Sequence, residues 1–134
     1  MFTIKNKARL LQPVNFEGLR SGSMLASDID AVMEYGDRLF IFVELKRPGI
    51  GMPTGQRIMY ERMSRAISES PKREAYTILA ENNEDDPEKP VDLAHCKVSC
   101  YFDGTQKKWL TAIKPLNVLL LRNELYELCF SKQI

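Results

Sequence analysis

The stretch Ser27-Asp28-Ile29-Asp30-Ala31-Val32, followed after a Gly36-Asp37 turn by Leu39-Phe40-Ile41-Phe42-Val43-Glu44-Leu45-Lys46, decides the fold. The unbroken apolar run from Leu39 to Val43 predicts a central strand covered on both faces. Asp28 to Met33 alternates weakly and predicts a second strand, with Gly36-Asp37 joining the two as a hairpin. Two carboxylates and one lysine thus end runs that otherwise read as buried strand. Charge beside a core is expensive unless compensated, and a divalent cation balancing Asp30 and Glu44 would compensate it.

Side chains alternate along a strand, so Glu44 and Lys46 share one face, as do Asp28 and Asp30 on the preceding strand. A three-residue loop at Gly36-Asp37-Arg38 sets Asp30 opposite Glu44 and Asp28 opposite Lys46, with opposed Cβ atoms about 5 Å apart. A two-residue loop would turn Asp30 to the other face. The shared face therefore requires an odd loop or a bulge. The alternative is a plain surface hairpin with a cross-strand ion pair from Asp28 to Lys46.

Outward from this core, Arg47-Pro48-Gly49-Ile50-Gly51-Met52-Pro53 breaks regular structure. Thr54 offers an N-cap for a helix to about Ser70, with Gln56, Tyr60, Met63 and Ile67 on one face and Pro71 beyond its end. Ala75 to Ala80 predicts a third strand. The acidic, proline-punctuated stretch 81–90 predicts a surface loop that faces away from any nucleic acid. Lys97 to Tyr101 and Lys108 to Ile113 predict two strands around Asp103-Gly104, and Leu116 to Phe130 predicts a last helix with Leu121, Leu125, Leu128 and Cys129 at helical spacing. Val118 to Leu121 could instead begin as strand. Upstream, Asn15 to Ser23 predicts a short helix capped by Asn15, with Glu17 in its first turn. The whole predicts one α/β domain over 1–134, a mixed central β-sheet flanked by α-helices.

At 134 residues the chain can bury about two thirds of its unfolded surface in one core. With 19 basic and 18 acidic residues, net charge +1, no global field drives it toward nucleic acid or anionic membrane, so any basic footprint is local. Cys96, Cys100 and Cys129 form an odd count without a secretory apolar segment, which fits a reducing, cytoplasmic setting. Val118 to Leu121 is far shorter than the roughly 20 apolar residues of a membrane span. His95, Cys96 and Cys100 invite a zinc reading, but a structural site needs a fourth ligand and only the distant Cys129 remains. Cys96 and Cys100 read better as small buried hydrophobes.

Carboxylates that close together repel unless a hard cation lies between them, and Mg²⁺ favours one or two carboxylates with water and phosphate oxygens. Lys46 places a positive donor beside them, suited to steadying charge on a phosphate or orienting an activated water. The chemistry implied is phosphodiester hydrolysis.

Asp30 followed by a turn and an apolar strand ending in Glu44-Leu45-Lys46 resembles the PD-(D/E)XK, or restriction-endonuclease-like, nucleases over about residues 15 to 80. Ile29-Asp30 stands where the family name has Pro-Asp, which leaves Asp28 a rival for the ligand role. The resemblance implies a restriction-endonuclease-like core in which Asp30, Glu44 and the Leu45 carbonyl hold Mg²⁺ or Mn²⁺ and Lys46 is catalytic. Gln56 and Tyr60 resemble the Gln-X-X-X-Tyr element of a subset of those nucleases, which lines the substrate path and would add Gln56 to the catalytic set. Glu17 resembles an auxiliary acidic residue on the first helix of some members. The implied substrate is DNA, with selectivity for a junction, flap or end, as in small phage or mobile-element nucleases. A domain this short would draw its selectivity from DNA structure or from assembly into a homodimer or higher oligomer; no organic cofactor and no membrane enter.

Arg47, Arg57, Arg62, Arg65, Lys72 and Arg73 follow the motif, and Arg47 and Arg57 are the candidates for phosphate contact, although solvation accounts for most of such charges equally well. Lys107-Lys108-Trp109 could add charge and a stacking surface, against a packed tryptophan as the plainer reading. Two rivals stand beside the nuclease: a nucleic-acid-binding protein that keeps the fold without cutting, and an interaction module that docks a partner on the Leu116 to Phe130 helix.

Overall fold

The computed structural model describes residues 12–131; residues 1–11 and 132–134 of the expected 1–134 domain lie outside the described residues. Among the described residues five strands form one mixed sheet in the spatial order β1-β2-β3-β4-β5. They are β1 (Ala31–Tyr35), β2 (Leu39–Lys46), β3 (Glu74–Glu81), β4 (Lys97–Asp103) and β5 (Lys108–Leu110). Helix α1 (Thr54–Ser68) connects β2 to β3, and helix α2 (Val118–Ser131) follows β5. All neighbouring strands are antiparallel except β2 and β3, which run parallel and need the crossover helix between them.

The β1–β2 hairpin pairs Tyr35 with Leu39 and Ala31 with Val43, leaving the three-residue loop Gly36-Asp37-Arg38 that a shared carboxylate face requires. Gly36 and Asp37 sit at φ 61° and 60°, and the Arg38 N–H donates to the Tyr35 carbonyl at 3.1 Å. Glycine adopts that left-handed backbone freely, and aspartate tolerates it. Arg73 grips the Asp37 carboxylate at 2.7 Å and lowers its pKa from the ordinary value.

Alternation divides β2 between the two helices. Leu39, Ile41 and Val43 pack with Tyr76, Ile78, Ala80, Val98, Leu121, Leu125 and Cys129 in the main core, under α2. Phe42 faces the other way, its ring centroid 6.1 Å from that of Tyr60 on α1. On that α1 side the Ser64 hydroxyl bonds Thr77 at 2.9 Å, both fully buried. Cys96 and Cys129 are buried in the core and Cys100 is half-buried, with burial raising the thiol pKa of Cys96 and Cys100. Among the described residues no helix is long and apolar enough to cross a membrane.

Several elements depart from expectation. The helix predicted over 15–23 is a single 3-10 turn, Glu17–Leu19, although Asn15 Oδ1 does accept the Glu17 N–H at 3.0 Å. Gly18 and Gly22 are poor helix formers, and the segment buries no side chain that could offset their entropy. Strand β1 begins at Ala31 rather than Asp28. Thr54 is the first helical residue and not the cap; Pro53 holds the cap position, its carbonyl accepting the Arg57 N–H at 2.9 Å. Strand β5 stops at Leu110, and Val118 to Leu121 is helix from its start, with Leu128 facing solvent.

Candidate functional site

The carboxyl end of β2 carries Glu44, Leu45 and Lys46 beside the start of β1 and under the first turns of α1. Glu44 is only 4% exposed, an unusual burial for an acid. Its carboxylate accepts the Tyr60 hydroxyl proton through Oε2 at 2.5 Å, while Lys46 Nζ lies 3.5 Å from Oε1. The Gln56 amide also donates toward it. Gln56 and Tyr60 stand four residues apart, one helical turn, so both side chains leave α1 over the same strand end.

Asp30 reaches this place by a different route from ladder pairing. Continuing the β1–β2 register one step would set Asp30 opposite Glu44, but the backbone leaves the ladder there, and Asp30 Oδ2 accepts the Leu45 N–H at 2.7 Å. The side chain thereby satisfies an amide that the edge would otherwise leave open. The Lys46 carbonyl accepts the Asn82 N–H on the β3 side. Backbone groups alternate sides residue by residue, so the Leu45 carbonyl shares the Asp30 side with its own N–H. Lys46 pairs with Glu44 and not with Asp28, which remains exposed ahead of β1.

Electrostatics follow from this packing. Burial is the main cause that raises the Glu44 pKa above its ordinary value, and the Asp30 charge raises it further; the hydrogen bond from Tyr60, the Lys46 charge and the bond from Gln56 pull the other way. The Tyr60 hydroxyl is pushed far upward, by burial first and then by its bond to Glu44, with smaller contributions from the charges of Asp30 and Asp28. It therefore stays a proton donor at any physiological pH. Gln56 Oε1 is buried without a hydrogen-bond partner, an acceptor left open at the same place.

As a donor set, two carboxylates and a backbone carbonyl suit a hard, oxygen-seeking cation. Among the described residues no group of three or more His, Cys, Asp or Glu side chains is arranged to hold a metal, so a cation here would rest on Asp30, Glu44, the Leu45 carbonyl and water.

The remaining expected residues lie apart from this group. The Arg47 guanidinium is taken up by the acidic loop, donating to the carbonyls of Asn82 at 2.9 Å and Glu84 at 2.6 Å and to Asp85 Oδ1 at 2.8 Å. That loop was expected to face away from any nucleic acid; it is fastened directly beside Lys46. Arg57 lies 3.9 Å from Glu61, whose carboxylate also accepts the Trp109 indole N–H at 2.6 Å. Glu17 is exposed on its 3-10 turn, where its N–H donates to Asn15 Oδ1. Glu81, which sequence reasoning passed over, stands opposite Lys46 in the parallel register and accepts the Ser99 hydroxyl at 3.1 Å. A recess of about 250 Å³ runs between Lys46, Leu79, Glu81, Ser99 and Ile50. The available signal was that Glu81 ends an apolar run, as Glu44 does.

Comparison with protein-family models, curated proteins and solved structures returns no match.

Proposed function

We propose that this chain is a metal-dependent nuclease with a restriction-endonuclease-like core, hydrolysing phosphodiester bonds in DNA. One observation carries the reading: the acid Glu44, nearly fully buried at the end of a core strand, gathers Asp30, Lys46, Gln56 and Tyr60 around it on the α1 side of the sheet. Burying a carboxylate is costly, and a fold that needed only packing would place an apolar residue there. The order of elements adds support, since a hairpin, a crossover helix and a parallel strand bring Glu44-Leu45-Lys46 under the Gln56 and Tyr60 turn. Asp30, Glu44 and the Leu45 carbonyl would hold Mg²⁺ or Mn²⁺, which when bound supplies a Lewis acid and a water of lowered pKa. Lys46, 24% exposed in its side chain, is wet enough to meet a phosphate oxygen and close enough to Glu44 to be held in place. Tyr60 and Gln56 orient the Glu44 carboxylate.

A second reading is a nucleic-acid-binding or protein-interaction module that keeps this fold without cutting. It draws on one observation: Asp30 Oδ2 and both Glu44 oxygens already have protein partners. Cleavage of labelled single-stranded, duplex, flapped and four-way-junction DNA with Mg²⁺, Mn²⁺ or EDTA separates the two. Metal-dependent cutting that disappears in Lys46→Ala supports the nuclease; no cutting on any substrate, with no metal binding by calorimetry, supports the module.

A further inference from the structure

On the outer side of α1, away from Glu44, Arg62 and Arg65 meet Lys107 of the β4–β5 turn around a recess of about 250 Å³ that Ala66 and Glu69 complete. Among the described residues none of the three cations has a side-chain partner, in contrast to Arg47, Arg57 and Arg73, which all lie against carboxylates. Arg62 and Arg65, three apart on one helix, are surface neighbours and repel.

The third cation is brought there by a tightly specified turn. A Cβ on Gly104 would lie 2.3 Å from the Ser64 carbonyl oxygen and 2.6 Å from Ser68 Oγ, so the turn presses directly on α1. The buried Asp103 carboxylate accepts the N–H groups of Thr105 and Gln106 at 2.9 and 3.1 Å and the Gln106 side-chain amide at 3.0 Å. Lys107 itself sits at φ 59°, a left-handed conformation that a lysine seldom adopts. Three cations, one on a strained backbone, thus line one recess with a single carboxylate, Glu69, and none of them is paired with it. An anion in the recess relieves their repulsion.

We propose that this recess is a phosphate-binding subsite for the DNA backbone, separate from the scissile position. The choice of DNA as the anion rests on the nuclease reading. Arg62 and Arg65 lie roughly 9 and 14 Å farther along the α1 axis than Gln56, a few nucleotide steps of a strand. The subsite anchors DNA that crosses the outside of the helix and reads no sequence.

The test is binding of a fluorescein-labelled DNA duplex, by anisotropy in EDTA, as a function of salt. Each lost phosphate contact lowers the slope of log K against log salt by about 0.9. The expected result is a drop of about one for Lys107→Ala and of one to two for Arg62→Ala with Arg65→Ala, with Lys89→Ala as the unchanged control. Arg62→Gln with Arg65→Gln, which keeps side-chain bulk, should give the same drop, and circular dichroism verifies the fold of each variant. Slopes equal to wild type, or a wild type that does not bind the duplex, overturn the proposal. If slopes are unchanged while metal-dependent cutting persists, the subsite falls and the nuclease stands. If slopes drop while no substrate is cut and no metal binds, the subsite stands and the nuclease falls.

Discussion

Tyr60 donates its hydroxyl proton to Glu44 Oε2 at 2.5 Å, joining the first turns of α1 to the end of β2 in the least hydrated part of the candidate site. That bond is what makes a buried glutamate tolerable there, and it ties site geometry to fold stability. Tyr60→Phe keeps the ring against Phe42 but strips Glu44 Oε2 of the Tyr60 donor. The expected cost is about 1–3 kcal/mol in urea unfolding, the usual penalty for a buried acceptor left open. The Glu44 pKa rises further in the same variant, and NMR titration of the carboxyl carbon would read it. A variant as stable as wild type would show that the bond has no energetic role.

Glu44 also sets a direction for pH dependence. Its folded pKa lies above the ordinary 4.5, because burial disfavours the charged form. The native state therefore holds its proton more tightly than the unfolded chain does. The stability this contributes is complete below the ordinary value and is lost as pH rises through the folded value. Glu44→Gln removes the titration while leaving an acceptor for Tyr60. Its melting temperature relative to wild type should climb over the range in which pH rises above the ordinary 4.5. A constant difference across that range would contradict the assignment.

On the proposed nuclease reading, metal binding and catalysis fall to different residues of the same group. Mn²⁺ should raise the melting temperature of wild type by mass action and leave Glu44→Gln and Asp30→Asn unmoved. Asp28→Asn should behave as wild type, because Asp28 is exposed ahead of β1 while Asp30 bonds the Leu45 N–H. Lys46→Ala should retain metal binding and fold yet lose cleavage by about 100-fold or more, measured on whichever DNA substrate wild type cuts. Loss in Asp28→Asn without loss in Asp30→Asn would exchange the two roles.

Gly104 tests the packing of the β4–β5 turn on α1. Since a Cβ there would meet the Ser64 backbone and Ser68 Oγ, Gly104→Ala must push the turn away from the helix. A destabilisation of about 1–3 kcal/mol follows, as for other overpacked sites. The same shift moves Lys107 relative to Arg62 and Arg65, so duplex affinity should weaken along with stability. Ser64→Ala, which shortens a side chain without displacing the turn, should lower stability through the lost Thr77 bond and leave duplex affinity in place.

Much of this arrangement is legible in the sequence. The apolar run through Val43 reads as a two-face strand because every second residue must meet a helix, and counting shows that Asp30 and Glu44 share a side only if the loop is odd, a condition that the three-residue Gly36-Asp37-Arg38 loop meets. Gln56 and Tyr60 align because four residues make one helical turn. The stretch 15–23 misled: Asn15 and Glu17 carry the marks of a helix start, but a helix gains most of its stability from a buried face, and this segment has none.

By itself the sequence determined the periodicities: that Leu39 to Val43 is strand and the Gln56 to Ile67 stretch helix, and which side chains share a face along each. Those are short-range consequences of backbone geometry. Only the tertiary structure decided that Glu81 stands beside Lys46, that the acidic loop closes on Arg47, and that the Gly104 turn delivers Lys107 to Arg62 and Arg65. Each joins residues more than 30 positions apart in the chain. Such meetings follow from the way helices pack on a twisted sheet, for which no local pattern of residue types is a proxy.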